Sequence, residues 1–121
     1  MIKVVGLLTR KPELSHAEFV KHWLEVHGPL ARKVPGLRRY VQSHILEERT
    51  RPDIPSTDVE IDGVAELWYD DRESMLRALA TPEAKALYAD AGGRPDDRCA
   101  WWHLARDYPA RVMPDKTFSA R

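Results

Sequence analysis

The chain has 121 residues, 43% of them apolar and 31% charged, and its nineteen basic residues cancel nineteen acidic ones. That balance excludes a disordered or collagen-like chain, and the lack of a basic excess argues against a nucleic-acid partner. One cysteine, Cys99, permits neither an internal disulfide nor a cysteine-based zinc site, and the length suits a single domain over residues 1–121, with a core of 2–113 and a tail of 114–121.

The first element is a strand over Ile2–Leu8, apolar at both parities, so both of its faces need cover. It follows the N-terminus with no signal-peptide pattern ahead of it, and the apolar runs are strand-sized, so the expectations are a cytoplasmic location and no membrane span. Ser15-His16-Ala17-Glu18 is a capping box that starts a helix. Phe19, Trp23, Val26 and Leu30 then recur at helical spacing and form its buried stripe. Gly28-Pro29 predicts a stop or kink near His27, because proline lacks the helical N–H and restricts its predecessor. After Val34-Pro35-Gly36, a second strand spans Leu37–Glu47, with Leu37, Val41 and Ile45 on one face and Tyr40, His44 and Leu46 on the other. The proline-containing segment 48–61 is long for a loop in so small a domain and suits a lid. A third strand covers Val64–Tyr69, opened by Asp62-Gly63. Asp71–Leu79 and Pro82–Ala91 form a helix broken at Thr81-Pro82 and stopped by Gly92-Gly93. A short helical piece over Asp97–Leu104 and an edge strand around Asp107–Met113, where Pro109 sits, complete the chain.

The order β-α-β-β-α-β predicts an α+β fold, a ferredoxin-like sandwich with two helices on one face of an antiparallel sheet. Strands apolar at both parities would leave the second face exposed, so a homodimer with the sheets face to face is expected.

His27 lies about 80° round the helix from Phe19, beside Val20 and Trp23, at the margin of the buried stripe. An imidazole there suits a general acid or base near neutral pH, or equally a cap on the last helical carbonyls. Tyr40, His44 and Trp68 are strand residues whose parity can aim them inward, to bind a substrate hydroxyl or carbonyl or to fill the core, and Trp23 joins them as a ligand contact. Glu66, flanked at its own parity by Val64 and Trp68, is the best carboxylate candidate; the plainer reading pairs it with Arg38 or Arg39. His16, His22 and His27, spaced six and five apart, do not stack on a regular helix, so no metal site is expected and the first two are read as solvated. Trp101-Trp102-His103 supplies aromatic surface for core, partner or pocket mouth, and Cys99 is read as a small buried side chain.

Phe19, the run Trp23-x-x-x-His27-Gly28-Pro29, Pro35-Gly36, Tyr40, the segment from Asp62 to Trp68 and Thr81-Pro82-Glu83 together resemble the EthD family over residues 2–113. The resemblance implies a dimeric α+β barrel with a pocket in each subunit. It also implies small cyclic, aromatic or otherwise apolar ligands and chemistry without metal or organic cofactor, as in methylmuconolactone isomerases and fungal polyketide dehydratases. His27 matches the helix histidine of the isomerase type. A second histidine and a cysteine of that type correspond here to Asp53 and Leu67, which points to proton transfer on some other substrate. The alternatives are an accessory ligand carrier, a cofactor-free monooxygenase, and a haem protein with His27 or His44 as ligand.

Overall fold

The computed structural model describes residues 1–56, 60–90 and the backbone of 102–111. Its elements are β1 (Ile2–Arg10), α1 (His16–His22), a π turn (Trp23–His27), α2 (Gly28–Arg32), β2 (Arg39–His44), β3 (Gly63–Tyr69), α3 (Arg72–Leu79), α4 (Pro82–Asp90) and β4 (Trp102–Arg111). The strands form one antiparallel sheet in the order β2-β3-β1-β4. The α+β ferredoxin-like expectation is met, with β1 as an inner strand whose backbone is satisfied on both sides.

Strand parity divides the sheet. Val4 and Leu8 of β1 and Ala65, Leu67 and Tyr69 of β3 point to the helix layer. There they meet Phe19, Trp23, Ala31, Val34, Met75, Ala78, Ala84 and Leu87 in one apolar core. The capping box forms as the sequence predicts, with Ser15 Oγ accepting from the Glu18 N–H and the Glu18 carboxylate accepting from the Ser15 N–H. Asp71 caps α3 through the Ser74 N–H. The Thr81 hydroxyl donates to the Ala78 carbonyl and accepts from the Ala84 N–H, joining α3 to α4. Gly36 takes φ 83° after Pro35, the left-handed position of a tight turn that a Cβ would strain. Gly63 is required for a different reason: a Cβ there would lie 2.2 Å from the Trp23 ring.

Two expectations are corrected. The helix does not stop at Gly28-Pro29; the disturbance expected near His27, with the helix resuming as a short turn, takes the form of a π turn followed by the five-residue α2. It widens, the Gly28 N–H reaching the Trp23 carbonyl five residues back, and then continues as α2 with Pro29 in its first turn. Proline's ring crowds the carbonyl four residues earlier, and a widened turn just before it relieves that conflict without ending the helix. The helical reading of Asp97–Leu104 fails at its end, because Trp102–Leu104 belong to β4. There Leu104 pairs with Thr9 and Trp102 with Arg10, across a bulge. Pro109 is tolerated because β4 is an edge strand. Gly92-Gly93, Cys99, Trp101, residues 97–100 and the side chains of Trp102 and His103 lie outside the described residues. No helix among the described residues is long and apolar enough to cross a membrane.

Candidate functional site

The π turn organises the polar groups of the helix layer. Its first residue, Trp23, is fully buried, with its ring against Phe19 at 5.6 Å and against His44 at 5.1 Å. The indole N–H donates to the Tyr40 hydroxyl at 3.0 Å. The Trp23 carbonyl accepts the Gly28 N–H and also the Gln42 amide at 2.7 Å. Gln42 donates again to the Tyr40 hydroxyl at 3.2 Å, and its oxygen faces His44 Nε2 at 3.0 Å. Tyr40, Gln42 and His44 share the helix-facing parity of β2, opposite Leu67, Ala65 and Gly63. Burial pushes the Tyr40 hydroxyl above its ordinary pKa, and the two donors from Gln42 and Trp23 offset only part of that rise.

These side chains form one wall of a cleft of about 600 Å³ between the free edge of β2 and the helical arm, whose side supplies Leu24, Gly28, Pro29 and Arg32. The charged residues lining it are Arg32, Arg38 and Arg39, with no carboxylate among them.

The last residue of the π turn, His27, is 7% exposed and its Nδ1 lies 2.8 Å from Asp90 Oδ2 at the end of α4. His22 Nε2 reaches the same carboxylate at 3.1 Å. On a regular helix two residues five apart point about 140° away from each other. The widened turn absorbs the extra residue and brings both rings to Asp90, so the reading of His22 as solvated is corrected. His16 remains partly exposed, as expected, with its Nδ1 2.8 Å from Asp62. Burial raises the Asp62 carboxyl, but the Arg10 N–H, His16 and the Arg10 guanidinium more than offset it and hold the group below its ordinary pKa. Burial lowers His27, and Asp90 restores only part of the loss, so the ring is neutral near pH 7. A carboxylate only accepts, so Nδ1 carries the proton and Nε2 the basic lone pair. His27 is therefore not a helix cap: the helix runs on past it and its ring serves a distant side chain. Nor is it among the residues lining the cleft, which begins at its neighbour Gly28.

Trp68 and Glu66 are elsewhere. Both lie on the opposite face of the sheet from Tyr40 and His44, which corrects the inward aim expected for Trp68. Lys3 at 5.2 Å and Arg39 at 4.8 Å pack on the Trp68 ring, each on a strand neighbouring β3. Glu66 pairs with Lys3 at 2.8 Å rather than with either arginine, since Lys3 faces Trp68 in the register and lies diagonal to Glu66. Arg38 instead binds Asp70.

Two site residues escape a reading of the sequence. Gln42 was detectable as the residue between Tyr40 and His44 at their own parity. Asp90 carries no local signal, because only the packing of α4 against α2 brings it to His27. Among the described residues, no group of three or more His, Cys, Asp or Glu side chains is placed to hold a metal ion.

Comparison with known proteins matches this arrangement to a family. The chain is 26% identical over 115 residues to a 4-carboxymethyl-4-methylbutenolide mutase of Pseudomonas reinekei, covering 94% of each. It superposes with a TM-score of 0.69 and 30% identity on an ethyl tert-butyl ether degradation (EthD) family protein of Bacillus halodurans, covering 93% of this chain and 99% of that one. A dimeric ferredoxin-like protein of Thermobifida fusca shares the fold at 12% identity, with a TM-score of 0.64 over 92% and 90% of the two chains. The EthD domain profile matches residues 11–94, and the chain belongs to the EthD family.

Proposed function

We propose that this protein is an enzyme of small-molecule catabolism that moves protons on a small cyclic or aromatic carbonyl compound, a lactone being the first candidate. The His27–Asp90 pair carries the reading. A buried imidazole, neutral near pH 7 and held as the Nδ1–H tautomer by a carboxylate, presents Nε2 as a base and can return the proton as an acid. Asp90 would steady the imidazolium formed in between. Tyr40 and His44 would hold the substrate's carbonyl or hydroxyl groups in the cleft, with Trp23 behind them; because His27 does not line that cleft, the substrate would have to reach past Gly28 to meet its ring. The relation to a butenolide mutase supports lactone chemistry, in which proton removal beside a carbonyl and its return elsewhere rearrange the ring. Glu66, paired with Lys3 on the far face, has a weaker claim to catalysis. The dimeric relative and the apolar second face of the sheet support a homodimer.

The test starts with thermal stabilisation by lactones, cyclic ketones and hydroxylated aromatics, 4-carboxymethyl-4-methylbutenolide included, and then measures turnover of the compounds that bind. His27→Gln should retain the fold and lose about 100-fold or more of turnover, with Asp90→Asn intermediate. Binding without turnover by the native protein would make it a carrier, and full activity in His27→Gln would remove the histidine from the chemistry.

A further inference from the structure

The cleft's polar groups form a directed network, and the direction is set by one residue. Gln42 Nε2 lies 2.7 Å from the Trp23 carbonyl oxygen, which can only accept, so the NH2 end of the amide must face it. The flipped amide would set two oxygens against each other. With the amide so fixed, its second N–H goes to the Tyr40 hydroxyl and its oxygen receives an N–H from His44 Nε2. The Tyr40 oxygen thus accepts from two nitrogens that can only donate, the Trp23 indole and the Gln42 amide. Its own proton is left over, and Tyr40 is one of the residues that line the cleft. His44, committed at Nε2, keeps its lone pair on Nδ1.

We propose that Gln42 is the positioning residue of this site, its amide locked on the π turn so that Tyr40 can only donate to a ligand and His44 takes up protons only at Nδ1. The proposal deepens the reading above and rests on it for the identity of the ligand, but not for the proton positions. It also gives the π turn a purpose: the Trp23 carbonyl is the anchor of the network, and widening the helix sets that carbonyl between the Gly28 N–H and the Gln42 amide. The charged groups of the cleft wall among the described residues, Arg32, Arg38 and Arg39, are all cations, so no carboxylate among those residues competes for the Tyr40 proton.

Nitrogen-15 NMR of the full-length protein tests this without any substrate. The His44 signals, assigned by their loss in His44→Asn, should show protonation at Nε2, favoured over Nδ1 by about five-fold more than in Gln42→Met, the ratio one ordinary hydrogen bond supports. In the same variant the Tyr40 titration, assigned through Tyr40→Phe, should move upward, since a donor to the phenolate is lost. Gln42→Glu keeps the acceptor for His44 but not the donors, so it should preserve the tautomer and still raise Tyr40. A native His44 protonated at Nδ1 would overturn the proposal. So would a tautomer ratio and a Tyr40 titration that ignore Gln42→Met. If the network behaves as described while no lactone or aromatic is turned over, the proposed function fails and this inference stands.

Discussion

A buried histidine costs stability whenever it must charge, and His27 makes that cost readable. Its folded pKa lies below the ordinary value of 6.5, chiefly through burial, with Asp90 opposing and His22 reinforcing the shift. Well above pH 6.5 neither folded nor unfolded protein binds this proton, and the contribution is constant. As the pH falls through 6.5 toward the folded pKa, the unfolded chain takes the proton first and stability drops. Denaturant unfolding should therefore show the native protein losing stability relative to His27→Gln between about pH 7 and pH 5. The carboxylates held below their ordinary pKa, such as Asp62, act only in a separate, more acidic window. A native-minus-variant difference that stays flat across that range would mean that the ring is neither as buried nor as neutral as the geometry implies.

The π turn is the element on which both candidate chemistries depend, and the sequence showed it only in part. Gly28-Pro29 signals a disturbance, and the periodicity of Phe19, Trp23, Val26 and Leu30 signals a buried stripe, which holds for Phe19 and Trp23 and fails at Val26, 45% exposed; neither pattern says that the helix absorbs the disturbance by widening. That outcome depends on tertiary partners, the Gln42 amide on the Trp23 carbonyl and the Trp23 ring over Gly63, which no local pattern carries. The same limit explains Asp90, and it explains why a spacing of five seemed to separate His22 from His27. Elements with local causes, such as the Ser15–Glu18 box, the Pro35-Gly36 turn and the strand over Val64–Tyr69, were legible. Gly28 tests how tightly the turn is built. Alanine in mid-helix is normally favoured over glycine by about 1 kcal/mol. Here a Cβ would sit 3.2 Å from Gln42 Nε2, an atom already held by two acceptors and unable to retreat cheaply. Gly28→Ala should fail to raise the melting temperature and should disturb the Tyr40 titration; a variant that melts higher with Tyr40 unchanged would show the network to be loose.

At the scale of the whole molecule the unresolved economy is the second face of the sheet. Val5, Leu7, Val41 and Val64 stand there half-buried among Lys3, Glu66, Thr9 and Trp68, while all the helices pack on the other side. Among the described side chains there, Glu66 is paired with Lys3, and Lys3 and Arg39 pack on the Trp68 ring. A second copy offers the same apolar centre and the same internal pairing, so two such faces can cover each other. A stable pair would bury about 1,200 Å² or more in total. Sedimentation velocity at micromolar concentration should give a dimer. Val64→Glu sets a carboxylate between Leu7 and Ser43 in the register, where a monomer leaves it wet but a dimer buries it with no cation directly opposite. That variant should keep its circular dichroism while its dimer dissociation constant rises about 100-fold or more, the equivalent of about 3 kcal/mol. A native protein that sediments as a folded monomer, or a Val64→Glu dimer as tight as the native one, would place the subunit contact elsewhere and leave this face for a different partner.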